Sequence, residues 1–110
     1  MKETLLLRPG EQVIVESETI KIHADKTMNI KGYLYLTTIK LVFLNSYGII
    51  EFYLPIDQIV GVSSTGGFFS KYLVIQYLFS PGQPTQIIFK MKDPQKWVKE
   101  IYGLITTEKK

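Results

Sequence analysis

The sequence predicts a mainly β protein closed by one C-terminal α-helix. Three observations lead there. From Gln12 to Phe89, short runs rich in β-branched and aromatic residues alternate with turn signals, and no helical period is sustained among them. Seven such runs recur at even spacing, as in a sandwich or a barrel. After Asp93 the pattern changes to apolar residues three and four apart, the signature of one amphipathic helix.

The first run, QVIVESETIKIHA, carries Val13 and Val15 on one parity and Ile20 and Ile22 on the other. A continuous strand would turn its apolar face over midway, so a bulge or bend is expected near Ser17 to Thr19. The second run, GYLYLTT, alternates Tyr33 and Tyr35 against Leu34 and Leu36, and the third is KLVFLN. Asn45, Ser46, Tyr47 and Gly48 then supply turn chemistry. Ile50, Phe52 and Leu54 are expected on the inward face of a fourth strand, which Pro55 ends because proline cannot donate to a central ladder. IVGVS, from Ile59, reads as a fifth strand, YLVIQYLF as a sixth, and QIIFKM as a seventh after the turn SPGQP.

In the helix, Asp93 suits the N-cap and Pro94 the first helical position. Trp97, Val98, Ile101, Leu104 and Ile105 share one stripe, while Lys96, Lys99 and Glu100 lie mostly off it. Gly103 marks close packing or a fraying end, and Thr106 to Lys110 read as a solvated tail.

At 110 residues with 45% hydrophobic content, the chain has the size and apolar material of one domain with a single core. The run Leu5 to Leu7 is too short for the hydrophobic region of a signal peptide, and no stretch approaches a membrane span. Any bilayer contact is therefore expected to be peripheral, and the chain is read as cytoplasmic. Thirteen Lys and Arg against ten Asp and Glu give a net charge of +3, which permits an acidic partner without demanding one. Cysteine is absent, which rules out disulfides and thiolate metal sites.

Polar groups that converge on a catalytic centre are hard to find. His23 is the only histidine, so no histidine pair can bind zinc, and neither a metal nor a cofactor is expected. Asp25, Asp57 and Asp93 sit beside turns or a helix start, and Glu16 and Glu18 share a strand face that reads as exposed. Gly66 and Gly67 precede a strand and lack the motif of a phosphate cradle. An enzyme is not expected.

Binding surfaces are the remaining source of function. Lys21, Lys26 and Lys31 cluster around the connection ADKTMN, Lys40 follows the next turn, and Lys71 adjoins two phenylalanines. Loops distant in sequence can gather at one end of a barrel. The tyrosines could stack bases, but arginine is scarce and the charge is weak for a phosphate backbone, so nucleic acid is disfavoured.

The stretch GYLYLTTIKLVFLN, Gly32 to Asn45, resembles the "G-x-L-x-L-T-x-x-R-L-x-F" pattern of the GRAM and pleckstrin-homology-like superfamily, its bacterial members included, with Lys40 where arginine is usual. PGEQV at Pro9 to Val13 resembles the family's opening segment and LPIDQIVGV its "I-P-L-x-x-I-x-x-V". FFSKYLVI and QIIFKMKDPQKWVKEI are similar to its closing strands and helix, so the likeness runs over about 9 to 105 of the chain. The resemblance implies a strongly bent antiparallel sheet or partly open barrel, with the helix over one open end and Trp97 packed into it. It makes Gly32, Leu36, Phe43 and Trp97 structural. In pleckstrin-homology relatives, phosphoinositides bind among basic residues of the first inter-strand loop, the place of Lys21, Lys26 and Lys31, while other relatives bind proteins or self-associate.

STGGFFSKY, residues 64 to 72, puts Phe68 and Phe69 at a bend. At least one ring is expected to fold back against the barrel or the helix, with the glycines allowing the sharp turn. Two functions follow. The first is a noncatalytic adaptor that docks on a protein partner or on its own copies. The second is a peripheral module that binds anionic lipid through Lys21, Lys26, Lys31, Lys40, Phe68, Phe69 and Lys71.

Overall fold

The computed structural model describes residues 7–22, 29–80 and 82–108. Seven strands follow in chain order: β1 Val13–Ile22, β2 Asn29–Thr37, β3 Lys40–Asn45, β4 Ile50–Pro55, β5 Ile59–Gly66, β6 Lys71–Ser80 and β7 Gln83–Lys90. A 3-10 turn, Ile56–Gln58, links β4 to β5, and the helix α1 spans Pro94–Glu108. All pairings are antiparallel, in the order β4-β3-β2-β1-β7-β6-β5, so the sheet is open with β4 and β5 as its edges.

The sheet stays open but is bent strongly enough to bring rings from strands far apart in its order into contact. Phe43 on β3 and Phe89 on β7 are three strand spacings apart in the ladder, about 14 Å if the sheet were flat. Their ring centroids are 5.7 Å apart. Phe52 on β4 and Tyr77 on β6 are five spacings apart, and their rings meet edge to face at 5.5 Å. The concave side is thus the core, where Leu34, Leu36, Leu41, Leu73 and Ile75 are fully buried.

Small residues make this curvature possible. On the concave face, Ser17 opposes Leu34 and Thr19 opposes Gly32. A Cβ on Gly32 would lie 2.0 Å from the Leu44 carbonyl oxygen and 2.9 Å from Phe43 Cζ. Glycine is therefore required for the backbones and the ring to approach this closely. Thr19 is buried with its hydroxyl satisfied, donating to the Lys90 carbonyl at 2.7 Å where β1 passes from β2 to β7.

Several expectations from the sequence are corrected here. The bulge in β1 lies between Val13 and Val15, not near Ser17 to Thr19. Beyond it the parity of the strand is constant, so Ile20 shares the convex face with Glu16 and Glu18 and does not turn to the core. Ile50 is exposed rather than inward, because a register shift between Phe43 and Leu44 pairs it with Leu44, while Phe52 and Leu54 still oppose Phe43 and Leu41. Leu44 itself belongs to a second small cluster with Tyr35 and Val42.

α1 packs over β5, β6 and the 3-10 turn. Asp93 Oδ1 accepts the Lys96 backbone N–H at 3.3 Å, as an N-cap should. Trp97 is 2% exposed, and Ile101 and Ile105 continue its buried stripe. Gly103 has open space around it, which removes close packing as its reason. The helix continues to Glu108, so Thr106 is not tail; its hydroxyl donates to the Tyr102 and Gly103 carbonyls within the last turns.

Candidate functional site

The β5–β6 hairpin determines where the two phenylalanines go. The ladder closes at the pair Gly66 and Lys71, leaving Gly67 to Ser70 as a tip beyond the sheet. Gly66 has φ +110°, and a Cβ there would lie 2.1 Å from the Ser70 carbonyl oxygen. Gly67 N–H then donates to that oxygen at 2.9 Å. The turn is tight and points the next two side chains away from the core.

Phe68 is 90% exposed and Phe69 95% exposed, their ring centroids 5.5 Å apart. The expectation that one ring folds back is therefore overturned. The physical reason is occupancy, since Trp97 fills the helix end of the core and Phe43, Phe52 and Phe89 fill the centre. Two rings left in water are unfavourable unless something covers them in use.

Beside the tip runs a groove of about 810 Å³, floored by β1 and β2 and walled by the hairpin and the end of β7. Lys31, Lys71, Lys90 and Lys92 line it, together with Glu18. Topology assembles them. Ile20 pairs with Lys31 on one side and with Lys90 on the other, and Lys90 pairs in turn with Tyr72 at the start of β6. Met91 N–H donates to the Lys71 carbonyl at 3.1 Å, which holds the segment carrying Lys92 against the hairpin. Among the described residues, none of these four ammonium groups is in an ion pair. Ile20 and Tyr33 add apolar floor, so the site is a cationic trough with an aromatic prow.

The candidate residues from the sequence are divided by this geometry. Lys31, Lys71, Phe68 and Phe69 come together in the groove. Lys21 is half-buried opposite Ile30, off the groove. Lys26, like His23 and Asp25, lies outside the described residues. Lys40 is a correction: it is buried, and its Nζ is 3.2 Å from Glu11 Oε1, so it presents no charge to a ligand. Lys90 and Lys92 were not singled out by the sequence, and only the pairing of β1 with β7 reveals them.

Glu11 was missed as well. Arg8 to Glu11 form a turn in which Gly10 has φ +84° and Glu11 N–H donates to the Arg8 carbonyl. Its carboxylate accepts from the Arg8 N–H at 2.8 Å, from the Thr37 hydroxyl and from Lys40. Burial pushes this carboxyl upward, but the Thr37 hydroxyl, the Arg8 N–H and Lys40 together outweigh it and hold it below its ordinary value of 4.5. This is a structural latch between the segment before β1 and the β2–β3 turn.

Among the described residues, no group of three or more His, Asp or Glu side chains is placed to hold a metal. No described helix is long and apolar enough to cross a membrane.

No family model matches the sequence, and no curated protein matches it either. Solved structures do. A C-terminal domain of a Leishmania infantum protein is 13% identical with a TM-score of 0.74, covering 96% of this chain and 94% of that one. The Vps36 N-terminal PH domain is 19% identical with a TM-score of 0.65, covering 92% and 86%. The Slm1 PH domain in complex with inositol-4-phosphate is 13% identical with a TM-score of 0.69, covering 84% and 95%. At such identities the likeness establishes the fold, which is pleckstrin-homology-like.

Proposed function

We propose that this protein is a noncatalytic module that docks peripherally on anionic lipid surfaces, with Phe68 and Phe69 entering the bilayer and the lysines of the groove facing its phosphates. One observation carries the reading: two aromatic rings, 90% and 95% exposed, stand at the rim of a groove lined by four lysines. Exposed aromatic rings beside unpaired cations are the two components of interfacial binding. The Slm1 PH domain, seen with inositol-4-phosphate, supports an anionic ligand on this fold. The pattern from Gly32 to Asn45 supports a GRAM-type member of the fold.

Magnitudes define the mode. Burying two Phe side chains contributes about 3 to 6 kcal/mol at most, and each lysine near an anionic leaflet adds ~1 kcal/mol. Association costs at least ~4 kcal/mol. One copy therefore binds weakly and reversibly, and stable residence at a membrane requires several copies or a partner.

The adaptor reading has less support from the geometry. Tyr35 is buried, which removes part of the tyrosine face; of the two edge strands, β4 is short, bulged and ended by Pro55, and β5 has α1 packed over it. Those are features that discourage strand addition.

Cosedimentation tests the proposal. The protein is expected to pellet with phosphatidylcholine vesicles containing phosphatidylserine at low salt and to remain in solution with phosphatidylcholine alone. Phe68→Ala with Phe69→Ala should lower partitioning by about tenfold or more. Wild-type protein that stays in solution with the anionic vesicles would remove the reading.

A further inference from the structure

We infer that the β3–β4 hairpin is a second membrane prong, so that the groove is held against the bilayer from both ends. This rests on the lipid-surface reading above. Ser46, in the β3–β4 turn, lines the groove together with Phe68 and Phe69 of the β5–β6 hairpin. Tyr47 is 84% exposed and Ile49 60% exposed, with Ile50 following them on the same hairpin. Both hairpins that flank the cationic trough thus offer large apolar side chains to solvent.

The exposure of Tyr47 and Ile49 is built into the turn. Asn45 Oδ1 accepts the backbone N–H groups of Tyr47 at 2.9 Å and Ile49 at 3.0 Å. Gly48, at φ +82°, donates its N–H to the Asn45 carbonyl, and Asn45 N–H donates to the Ile49 carbonyl. Asn45 Nδ2 is held in turn by Glu51 at 2.8 Å, and the Ser46 hydroxyl donates to the Lys31 carbonyl at 3.2 Å. One asparagine therefore fixes the hairpin tip, and Ser46 ties it to the strand that carries a groove lysine. A tip held this way presents its apolar side chains with little backbone ordering cost on contact.

The occupant is an anionic leaflet, and charge selects it. Four lysines against the single Glu18 line the trough between the prongs. A tyrosine at the interface keeps its hydroxyl among headgroups while its ring enters the apolar layer. Two contacts on one rigid body also fix orientation, because engagement of one hairpin brings the other to the surface at high effective concentration.

The test places tryptophan at each prong separately, Tyr47→Trp and Phe69→Trp, keeping Trp97 as a buried internal reference at 2% exposure. Each variant is mixed with phosphatidylcholine and phosphatidylserine vesicles carrying brominated acyl chains. Quenching of both new tryptophans, with Trp97 unaffected in the wild type, is the expected result. Tyr47→Ser with Ile49→Ser should also lower vesicle partitioning by about tenfold. Quenching at position 69 without quenching at position 47 overturns the second prong and leaves the lipid reading standing. Quenching at neither position overturns both. A dimer in sedimentation equilibrium that the Tyr47→Ser with Ile49→Ser variant dissolves, with no quenching at 47, assigns the hairpin to a second copy of the chain and overturns the inference.

Discussion

Lys40 Nζ lies 3.2 Å from Glu11 Oε1 with both side chains buried, and the two residues are 29 positions apart in sequence. Removing one member of a buried pair withdraws that partner's compensation from the other charge. Glu11→Gln should therefore destabilise the fold by about 3 to 5 kcal/mol in urea titrations. Glu11→Gln combined with Lys40→Met should recover part of that loss, since it removes the ammonium from the pair while the Gln side-chain oxygen still accepts from the Arg8 N–H or the Thr37 hydroxyl. A double variant less stable than either single one would contradict the latch.

The same carboxyl sets a pH dependence. Its folded pKa lies below its ordinary value of 4.5. The folded state therefore favours the carboxylate more than the unfolded chain does, and Glu11 contributes stability that is complete above about pH 4.5. That contribution is lost as pH falls through the lower folded value. The stability gap between wild type and Glu11→Gln should be constant from pH 7 to about pH 5 and shrink below that.

Gly32 should tolerate nothing larger. With the Leu44 carbonyl oxygen 2.0 Å from the position of a Cβ, Gly32→Ala must push two strands apart. A loss of about 3 kcal/mol is expected, measured by the denaturation midpoint. Gly67→Ala, with nothing within 4 Å of its Cβ position, should stay within about 0.5 kcal/mol.

Trp97 gives a spectroscopic check on the helix. It is the only tryptophan in the chain and is 2% exposed. Its emission should be that of an apolar site and resist acrylamide quenching. Trp97→Ala should cost about 3 to 5 kcal/mol through the cavity it leaves under α1. An emission spectrum typical of indole in water would place the helix elsewhere.

What could be read from the sequence followed local periodicity. The alternation of Leu34 and Leu36 with Tyr33 and Tyr35, and the Trp97, Ile101 and Ile105 stripe, repeat with the period of their own element. Where a neighbour intervenes, the reading fails. Ile50 keeps the alternation of its strand on paper, but the register shift opposite Phe43 and Leu44 moves it outward. Lys40 looked like a free cation because its partner sits in a turn before the first strand. At least one of Phe68 and Phe69 was expected inside because no local signal records that Trp97 and three other rings already fill the interior. The groove depends on β1 pairing with β7, a contact between opposite ends of the chain that no spacing motif encodes.

Ionic strength should separate the two components of the docking site. The lysines act through charge, and the Debye length falls from about 10 Å at 0.1 M salt to about 3 Å at 1 M. The rings act through apolar area, which such salt does not screen. Vesicle partitioning of the wild type should therefore fall steeply with salt. Each of Lys31→Ala, Lys71→Ala, Lys90→Ala and Lys92→Ala should reduce low-salt partitioning by about fivefold, ~1 kcal/mol per site. Phe68→Ala with Phe69→Ala should instead lower partitioning by a similar factor at every salt concentration, leaving the slope unchanged. Lysine variants that leave the salt slope at the wild-type value would show that the groove does not face the lipid, whatever the rings do.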